Sequence, residues 1–148
     1  MEPIDDEPII GVIFPLPERV IKFMFENNRN VFVKYTTHGH LQKSKLKLEK
    51  GMNIYFYQSG SNKIIVGEAI IEHTEFLSMD QILEKYANRL LTTEDELRDY
   101  SKGREEKPAL ILGLANLIKY EKEIKLSVPV TMAGLYLTEN RKNSLFTD

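Results

Sequence analysis

An aromatic hairpin constrains the fold of this chain more than any other stretch of its 148 residues. The stretch that holds its first strand reads Gly-Met-Asn-Ile-Tyr-Phe-Tyr-Gln-Ser-Gly over residues 51–60, and the return strand covers 64–71. Period-two alternation predicts that Phe56 and Tyr57 point to opposite faces. Gly67 inside the return strand predicts a bulge or a close backbone approach. Such a hairpin can form both a barrel wall and the floor of a ligand pocket.

The composition is that of a globular domain and excludes several kinds of site. Hydrophobic residues make up 42% and charged residues 28%, which predicts one domain over residues 1–148. Cysteine is absent, which excludes disulfides, thiolate metal sites and cysteine catalysis. No stretch approaches the roughly 20 apolar residues of a membrane span, and the acidic start lacks the basic region of a secretory signal. We expect a soluble cytoplasmic protein, not bound to membranes, and no motif indicates a cofactor.

Charge is distributed unevenly along the chain, although the formal net charge is only −2. The segment 34–63 carries six lysines against one glutamate, whereas 68–99 carries nine acidic residues against three basic ones. A local basic face can steer a phosphate backbone towards the protein despite the overall charge. The alternative is that both segments are simply solvated faces of a mixed-charge surface.

Hydrophobic periodicity and helix-start signals predict the elements. The predicted strands cover residues 9–14, 31–37, 54–58, 64–71, 109–115, 124–126 and 133–137, and the segment 43–48 is an edge strand or a loop. One predicted helix runs from Glu18 to Glu26. Two more are predicted to begin at capping boxes, the first formed by Ser78 with Gln81 and the second by Thr93 with Glu96. The prolines at 15 and 17 are expected to end the first strand, and the segment 138–148 to form a polar, frayed tail.

Strands dominate this pattern and are mostly joined by short turns. One helix lies early in the chain, and a helical insertion follows the aromatic hairpin. These features predict an α+β fold built as a small, mostly antiparallel β-barrel with peripheral helices. The core of this single domain is expected over about 9–137.

The order helix, strand, Lys-Gly-x-x-Ile-x-Phe-Tyr, and then Ile-Val-Gly-Glu-Ala-Ile-Ile resembles the PUA-like superfamily. The resemblance is strongest to its ASCH and EVE branches and to small archaeal relatives without assigned activity. The matching hairpin residues are Lys50, Gly51, Ile54, Phe56, Tyr57, Ser59, Gly60, Val66, Gly67 and Ala69. The segments 108–114 and 120–122 resemble the later strand that pairs with this hairpin. The resemblance covers roughly 9–137 and implies a compact barrel with a cleft beside the hairpin.

The resemblance also implies that the cleft binds RNA or a modified nucleobase. Such a pocket needs aromatic or guanidinium planes for stacking and a few polar groups for the base edge. The ligand-binding residues that we predict on this basis are Lys34, Tyr35, Thr36, Tyr57, Gln58, Ser59, Gly60 and Arg104. Taken singly, the tyrosines also fit a purely structural role in the barrel core or rim. The leading hypothesis is a non-catalytic RNA- or modified-nucleotide-binding domain.

Two other functions fit the sequence. Some ASCH proteins are hydrolases or nucleases acting on nucleosides or RNA, and Lys34 with Glu68 could supply the general base of such a reaction. The same two residues also fit an ordinary ion pair between strands. A third possibility is a protein-interaction adaptor that binds its partner through the acidic helical segment 78–100. The oligomeric state is open.

His38 and His40 lie on the same side of an extended chain, which is a spacing found in metal sites. A metal would need a third ligand such as Glu72 or His73, and nothing in the sequence fixes one nearby. We therefore interpret the two histidines as exposed turn residues and predict no metal site.

Overall fold

The structure is a computed structural model that describes residues 8–34, 48–60, 63–103, 107–131 and 134–146. In these residues the strands are β1 (Gly11–Leu16), β2 (Val31–Lys34), β3 (Asn53–Gln58), β4 (Ile64–Leu77), β5 (Ala109–Lys125) and β6 (Leu135–Leu137). The helices are α1 (Glu18–Glu26), α2 (Met79–Tyr86), α3 (Glu94–Ser101) and α4 (Glu139–Leu145). None of the described helices has the length and apolar character that crossing a membrane requires.

The described strands form one curled half-barrel sheet in the order β2-β5-β4-β3-β1-β6. β1 and β3 are parallel, and all other neighbouring pairs are antiparallel. The predicted α+β class and the mostly antiparallel, barrel-like form are therefore confirmed. The sheet is mixed because α1 and β2 lie between β1 and β3 in the chain and provide the crossover that parallel strands need.

One face of the sheet packs on α1, and we call it the α1 face. Its core includes Phe14, Phe56 and Leu112, all of which are essentially excluded from solvent. Helical spacing on α1 brings Val20 and Met24 onto this core, as the sequence predicts. The alternation of the aromatic hairpin is also confirmed, because Phe56 faces α1 whereas Tyr57 belongs to the core of the opposite face.

The opposite face is covered in two places. α2 and α3 bury Ile82 and Leu97 against β2 and β5, and both predicted capping boxes are present at their starts. Further along the sheet, Tyr55 and Tyr57 pack with residues of α4 and the segment 126–130. Exclusion of these apolar side chains from water is the main term that holds the helices to the sheet.

β1 continues through Pro15 to Leu16, so the prediction that this proline ends the strand is wrong. Pro15 still pairs in register with Tyr57 of β3, whereas β6 reaches only Gly11 to Ile13 on the other side. A proline without an N–H is tolerated where one side of the strand has no partner.

β5 is one strand of 17 residues, not the two short strands that the sequence suggests around Asn116. Asn116 adopts a left-handed conformation, with φ of 56°, and the register between β4 and β5 shifts there. This bulge takes up an extra residue without ending the strand. The return strand of the hairpin, β4, likewise continues to Leu77 instead of ending at Ile71.

The described C-terminal residues, up to Phe146, include a docked helix, so the predicted frayed tail is wrong for these residues. The Thr138 side chain caps α4 by accepting a hydrogen bond of 3.1 Å from the Arg141 backbone N–H. Phe146 then packs edge-on against Tyr55, with ring centres 4.9 Å apart. Apolar residues at the end of a polar segment thus dock the helix on the sheet.

Gly67 confirms the predicted bulge and close approach. The pairing of β3 with β4 shifts between Phe56 and Tyr57, opposite this glycine. A Cβ atom at position 67 would lie 2.5 Å from the carbonyl oxygen of Ile118 and 2.8 Å from Cζ of Phe25. Only glycine leaves room there for both the bulged strand and α1.

Candidate functional site

A cavity of about 230 Å³ lies between the end of β1, β2 and the start of α1. Its remaining wall is formed by α3 and by the segment that joins α2 to α3. We call this cavity the α1–α3 pocket. Its walls are largely apolar and include two aromatic side chains of the sheet and one of α3: Phe14, Phe32 and Tyr100. The charged side chains among its described lining residues are Arg19, Lys34 and Glu96.

Backbone hydrogen bonds hold the far wall of the pocket against β2. The N–H of Val31 donates to the carbonyl of Arg89 over 3.0 Å, and the N–H of Leu91 donates back to the carbonyl of Val31 over 3.3 Å. Leu90 and Leu91 lie in the segment between α2 and α3 and bury their side chains in the cores of the two faces. The helical insertion is therefore a structural wall of the pocket rather than a separate appendage.

Lys34 places a cation beside an aromatic ring of the pocket. It is half-buried at the end of β2, and its Nζ lies 5.3 Å from the centre of the Phe14 ring. Phe14 in turn packs edge-on against Phe32, with ring centres 5.3 Å apart. An ammonium group over an aromatic face is stabilised by the quadrupole of the ring, so this arrangement holds a positive charge beside an apolar cavity.

The mouth of the pocket is bridged by an ion pair between α1 and α3. Nη1 of Arg19 donates to Oε2 of Glu96, while Oε1 of Glu96 accepts a 3.1 Å bond from the Thr93 backbone N–H in the capping box. That backbone bond is the main reason that the pKa of Glu96 is lowered, and Arg19 adds to the effect against the opposing effect of burial. Glu96 is thus held as a carboxylate by its own helix.

The predicted ligand residues at the end of β3 are not among the lining residues of the pocket. Tyr57 is only 6% exposed and packs in the core of the opposite face, which does not support the predicted stacking role for its ring. Gln58 and Ser59 are half-buried and Gly60 is exposed. Ser59 donates its backbone N–H to the carbonyl of Leu16 over 2.9 Å, and Leu16 itself lines the pocket.

Lys34 and Glu68, the residues of the hydrolase hypothesis, are not brought together. Lys34 pairs in register with Leu110 and Glu68 with Ile118 of the same strand, which separates them by roughly 25 Å along β5. Glu68 accepts a 2.6 Å hydrogen bond from the Tyr120 hydroxyl. Burial and this carboxylate raise the pKa of Tyr120.

Several predicted residues lie outside the part of the chain that the structure describes. Tyr35, Thr36 and Arg104 of the predicted binding set belong to this group, as do His38 and His40 of the metal hypothesis. Across the described ranges, no group of three or more histidine, cysteine or acidic residues has a geometry that could hold a metal ion.

A separate polar cluster joins β4 to α2 on the face opposite α1. Oε2 of Glu75 lies 3.1 Å from Nε2 of His73 and accepts a hydrogen bond from the Tyr86 hydroxyl, while Oε1 accepts a 3.1 Å bond from Lys85. The Tyr86 hydroxyl bond is the leading cause of the lowered pKa of Glu75. We call these four residues the Glu75 cluster.

Comparison with known proteins places the chain in a family. Residues 9–139 match the family described as a domain of unknown function, DUF365. The chain belongs to the DUF365 family. An uncharacterised protein of Methanocaldococcus jannaschii, MJECS03, is 34% identical over 99 residues, which cover 60% of this chain and 92% of that protein.

The DUF365 chain has the fold of an ASCH domain. It is similar to the crystal structure of ASCH from Zymomonas mobilis, with a TM-score of 0.74 at 15% identity, covering 90% of this chain and 92% of that one. A serine-to-alanine mutant of that protein gives a TM-score of 0.76 at 14% identity, with 93% and 95% covered. The ASCH part of the predicted resemblance is therefore confirmed as a fold, whereas the EVE part stays a prediction.

Sequence reasoning missed Arg19 and Glu96 as residues of a site in this DUF365 chain. The capping box that fixes Glu96 is visible in the sequence, and so is the position of Arg19 in the first turn of a helix. Their partnership spans 77 positions, and no local pattern signals such a contact. The insertion 78–100 is recognised as acidic, but its role as a pocket wall follows only from its docking on β2.

Proposed function

We propose that this DUF365 chain is a non-catalytic domain that binds RNA or a modified nucleotide, and that a base enters the α1–α3 pocket. The observation that carries the proposal is Lys34, whose ammonium group lies over Phe14 in an otherwise largely apolar cavity. The ASCH-type fold supports the proposal, because the PUA-like resemblance implies binding of RNA or modified nucleobases.

The size and chemistry of the pocket suit a single base. A cavity of about 230 Å³ is smaller than the roughly 300–1,000 Å³ of pockets for drug-sized ligands. The half-buried ring of Tyr100 offers stacking surface, and each stacked base contributes about 1–3 kcal/mol. Lys34 and Arg19 supply donors for a base edge or a phosphate.

The predicted residues around this pocket extend the proposed site. Tyr35 and Thr36 follow Lys34 directly in the sequence, so they remain in the proposed binding set together with Arg104. Gln58, Ser59 and Gly60 are proposed to contact the ligand beyond the rim at Leu16, because Ser59 is hydrogen-bonded to that residue.

The test is a fluorescence-anisotropy titration of labelled single-stranded RNA against wild-type protein and Lys34→Met. The change keeps an unbranched, largely apolar side chain beside Phe14 and removes the charge. A hydrogen bond to a charged group contributes about 1.5–3 kcal/mol, so we expect affinity to fall about tenfold or more. Affinity should also fall steeply between about 50 mM and 200 mM salt.

Lys22→Met is the matched control. Lys22 is an exposed lysine of α1 that pairs with Glu26 and does not line the pocket, so the same charge is removed from another part of the surface. Affinity should change less than about twofold, as expected for an exposed charge. Equal losses in both variants, or no RNA binding by the wild type, would contradict the proposal.

A further inference from the structure

The ion pair at the mouth of the α1–α3 pocket joins a movable cation to a fixed anion. The Arg19 side chain is 68% exposed, whereas that of Glu96 is 32% exposed. Glu96 is also bound by the Thr93 backbone N–H and by the Thr93 hydroxyl. Arg19 is therefore the partner that can turn away, while the carboxylate stays where its helix holds it.

The strength of this pair is low enough for a ligand to replace it. Ion pairs at the protein surface are weak because both charges remain well solvated. A guanidinium group binds phosphate through two parallel N–H donors, a geometry that a single exposed carboxylate contact does not provide. A ligand phosphate near the mouth would thus compete directly with Glu96 for Arg19.

The position of Arg19 determines which kind of ligand binds more tightly because of it. Its side chain lines the same cavity as Lys34, so one cation lies beside the aromatic ring and another at the mouth. A ligand with a ring and an attached phosphate can use both, whereas a neutral ring can use only the first. The acidic Glu96 at the mouth also disfavours any anion that cannot displace it from Arg19.

We propose that Arg19 recognises a phosphate of the bound ligand and that Glu96 competes for Arg19, so the pocket selects phosphorylated nucleotides over neutral nucleosides. This inference rests on the proposed function and assigns a ligand class to the same site. Arg19 acts as the specificity residue. Glu96 sets the binding free energy that a phosphate needs in order to displace it from Arg19.

The experiment is isothermal titration calorimetry with the four ribonucleosides and their 5′-monophosphates as probes. The proteins are wild type, Arg19→Gln, Glu96→Gln and the control Arg98→Gln. Glutamine can take the place of Glu96 in a capping box, so Glu96→Gln removes the charge while keeping the helix start. Arg98 pairs with Glu94 on the same helix and does not line the pocket.

We expect at least one monophosphate to bind more tightly than its nucleoside. Arg19→Gln should weaken that monophosphate about tenfold or more and leave the nucleoside unchanged. Glu96→Gln should strengthen the monophosphate about two- to fivefold, since it removes a surface ion pair, again with no effect on the nucleoside. Arg98→Gln should bind all probes as the wild type does.

Two results would overturn the inference. If nucleosides and monophosphates bind equally well, and Arg19→Gln changes neither, Arg19 does not read a phosphate although the pocket still binds bases. If no probe binds the wild type, the inference fails as well, and the RNA titration with Lys34→Met then shows whether the proposed function fails with it.

Discussion

Arg19 of α1 donates to Glu96 of α3 across the mouth of the α1–α3 pocket, although 77 positions separate the two residues in the chain. The contact ties the helical insertion to the helix that follows β1. α3 therefore contributes to the site through its position, and changes that loosen its start should affect binding as well as stability. α2 differs from α3 in this respect, because its capping residue, Ser78, does not line the pocket.

Thr93→Ala should lower both the stability of the protein and its affinity for RNA. The Thr93 hydroxyl accepts a 3.2 Å bond from the Glu96 backbone N–H, and loss of such a cap typically costs about 0.5–2 kcal/mol. Because α3 supplies Leu97 and Tyr100 to the pocket wall, a looser start of this helix should also weaken the contacts of that wall with a base. Urea unfolding measures the first effect, and the RNA titration measures the second.

Ser78→Ala is the matched control, because it removes the equivalent cap of α2. It should lower the free energy of unfolding by about the same 0.5–2 kcal/mol without weakening RNA binding. If the two variants weaken binding equally, the start of α3 has no special part in the site.

Glu75→Gln should reduce stability at neutral pH and have little effect in acid. The pKa of Glu75 is lowered in the folded protein, first by the Tyr86 hydroxyl and then by Lys85 and His73. A depressed carboxyl pKa stabilises the fold at pH values above the unfolded pKa, about 4.3. That stabilisation is lost as the pH falls through the lower folded value.

The check is the free energy of unfolding of wild type and Glu75→Gln as a function of pH. The gap between them should be widest near neutrality and close below about pH 4. Glu72→Gln, an exposed position on the same strand, serves as control and should leave stability nearly unchanged. A gap for Glu75→Gln that does not vary with pH would show that its charge is not what stabilises the cluster.

Gly113→Ala should destabilise the protein through the Glu75 cluster. Gly113 pairs with His73 in the sheet, and a Cβ atom at position 113 would overlap the His73 ring. Overpacking of this kind costs about 1–3 kcal/mol, and it would also move the ring away from Glu75 and Tyr86.

A double-mutant cycle identifies the cause. In a His73→Ala background the ring that the added methyl group would overlap is gone, so Gly113→Ala should be much less damaging there, with a coupling of about 0.5–3 kcal/mol. Additive effects of the two substitutions would contradict a steric conflict between them.

The sequence predicts those parts of the fold that depend on short-range chemistry. The bounds of α1, both capping boxes, the alternation of the aromatic hairpin and the bulge at Gly67 all follow from neighbouring residues, and the structure confirms them. The elements that differ depend on long-range context. Pro15 is tolerated only because β6 stops short of it, and α4 is held by the packing of Phe146 on Tyr55.

The candidate site is predictable only in part, for the same reason. Lys34 follows from the strand pattern together with the PUA-like resemblance, and it lines the pocket. The predicted cleft beside the hairpin requires the Tyr57 ring to contact the ligand. In the structure Tyr57 packs in the core of the opposite face. Arg19 and Glu96 depend on how the insertion docks, which no local pattern encodes.

An amide NMR titration with single-stranded RNA tests most directly whether a base enters the α1–α3 pocket. The largest shift changes should fall on residues that line it, such as Phe14, Lys34 and Leu91, while Leu145 and Phe146 at the end of α4 stay nearly unchanged. Shift changes confined to α4 and the core beneath it, or none at saturating RNA, would contradict the account.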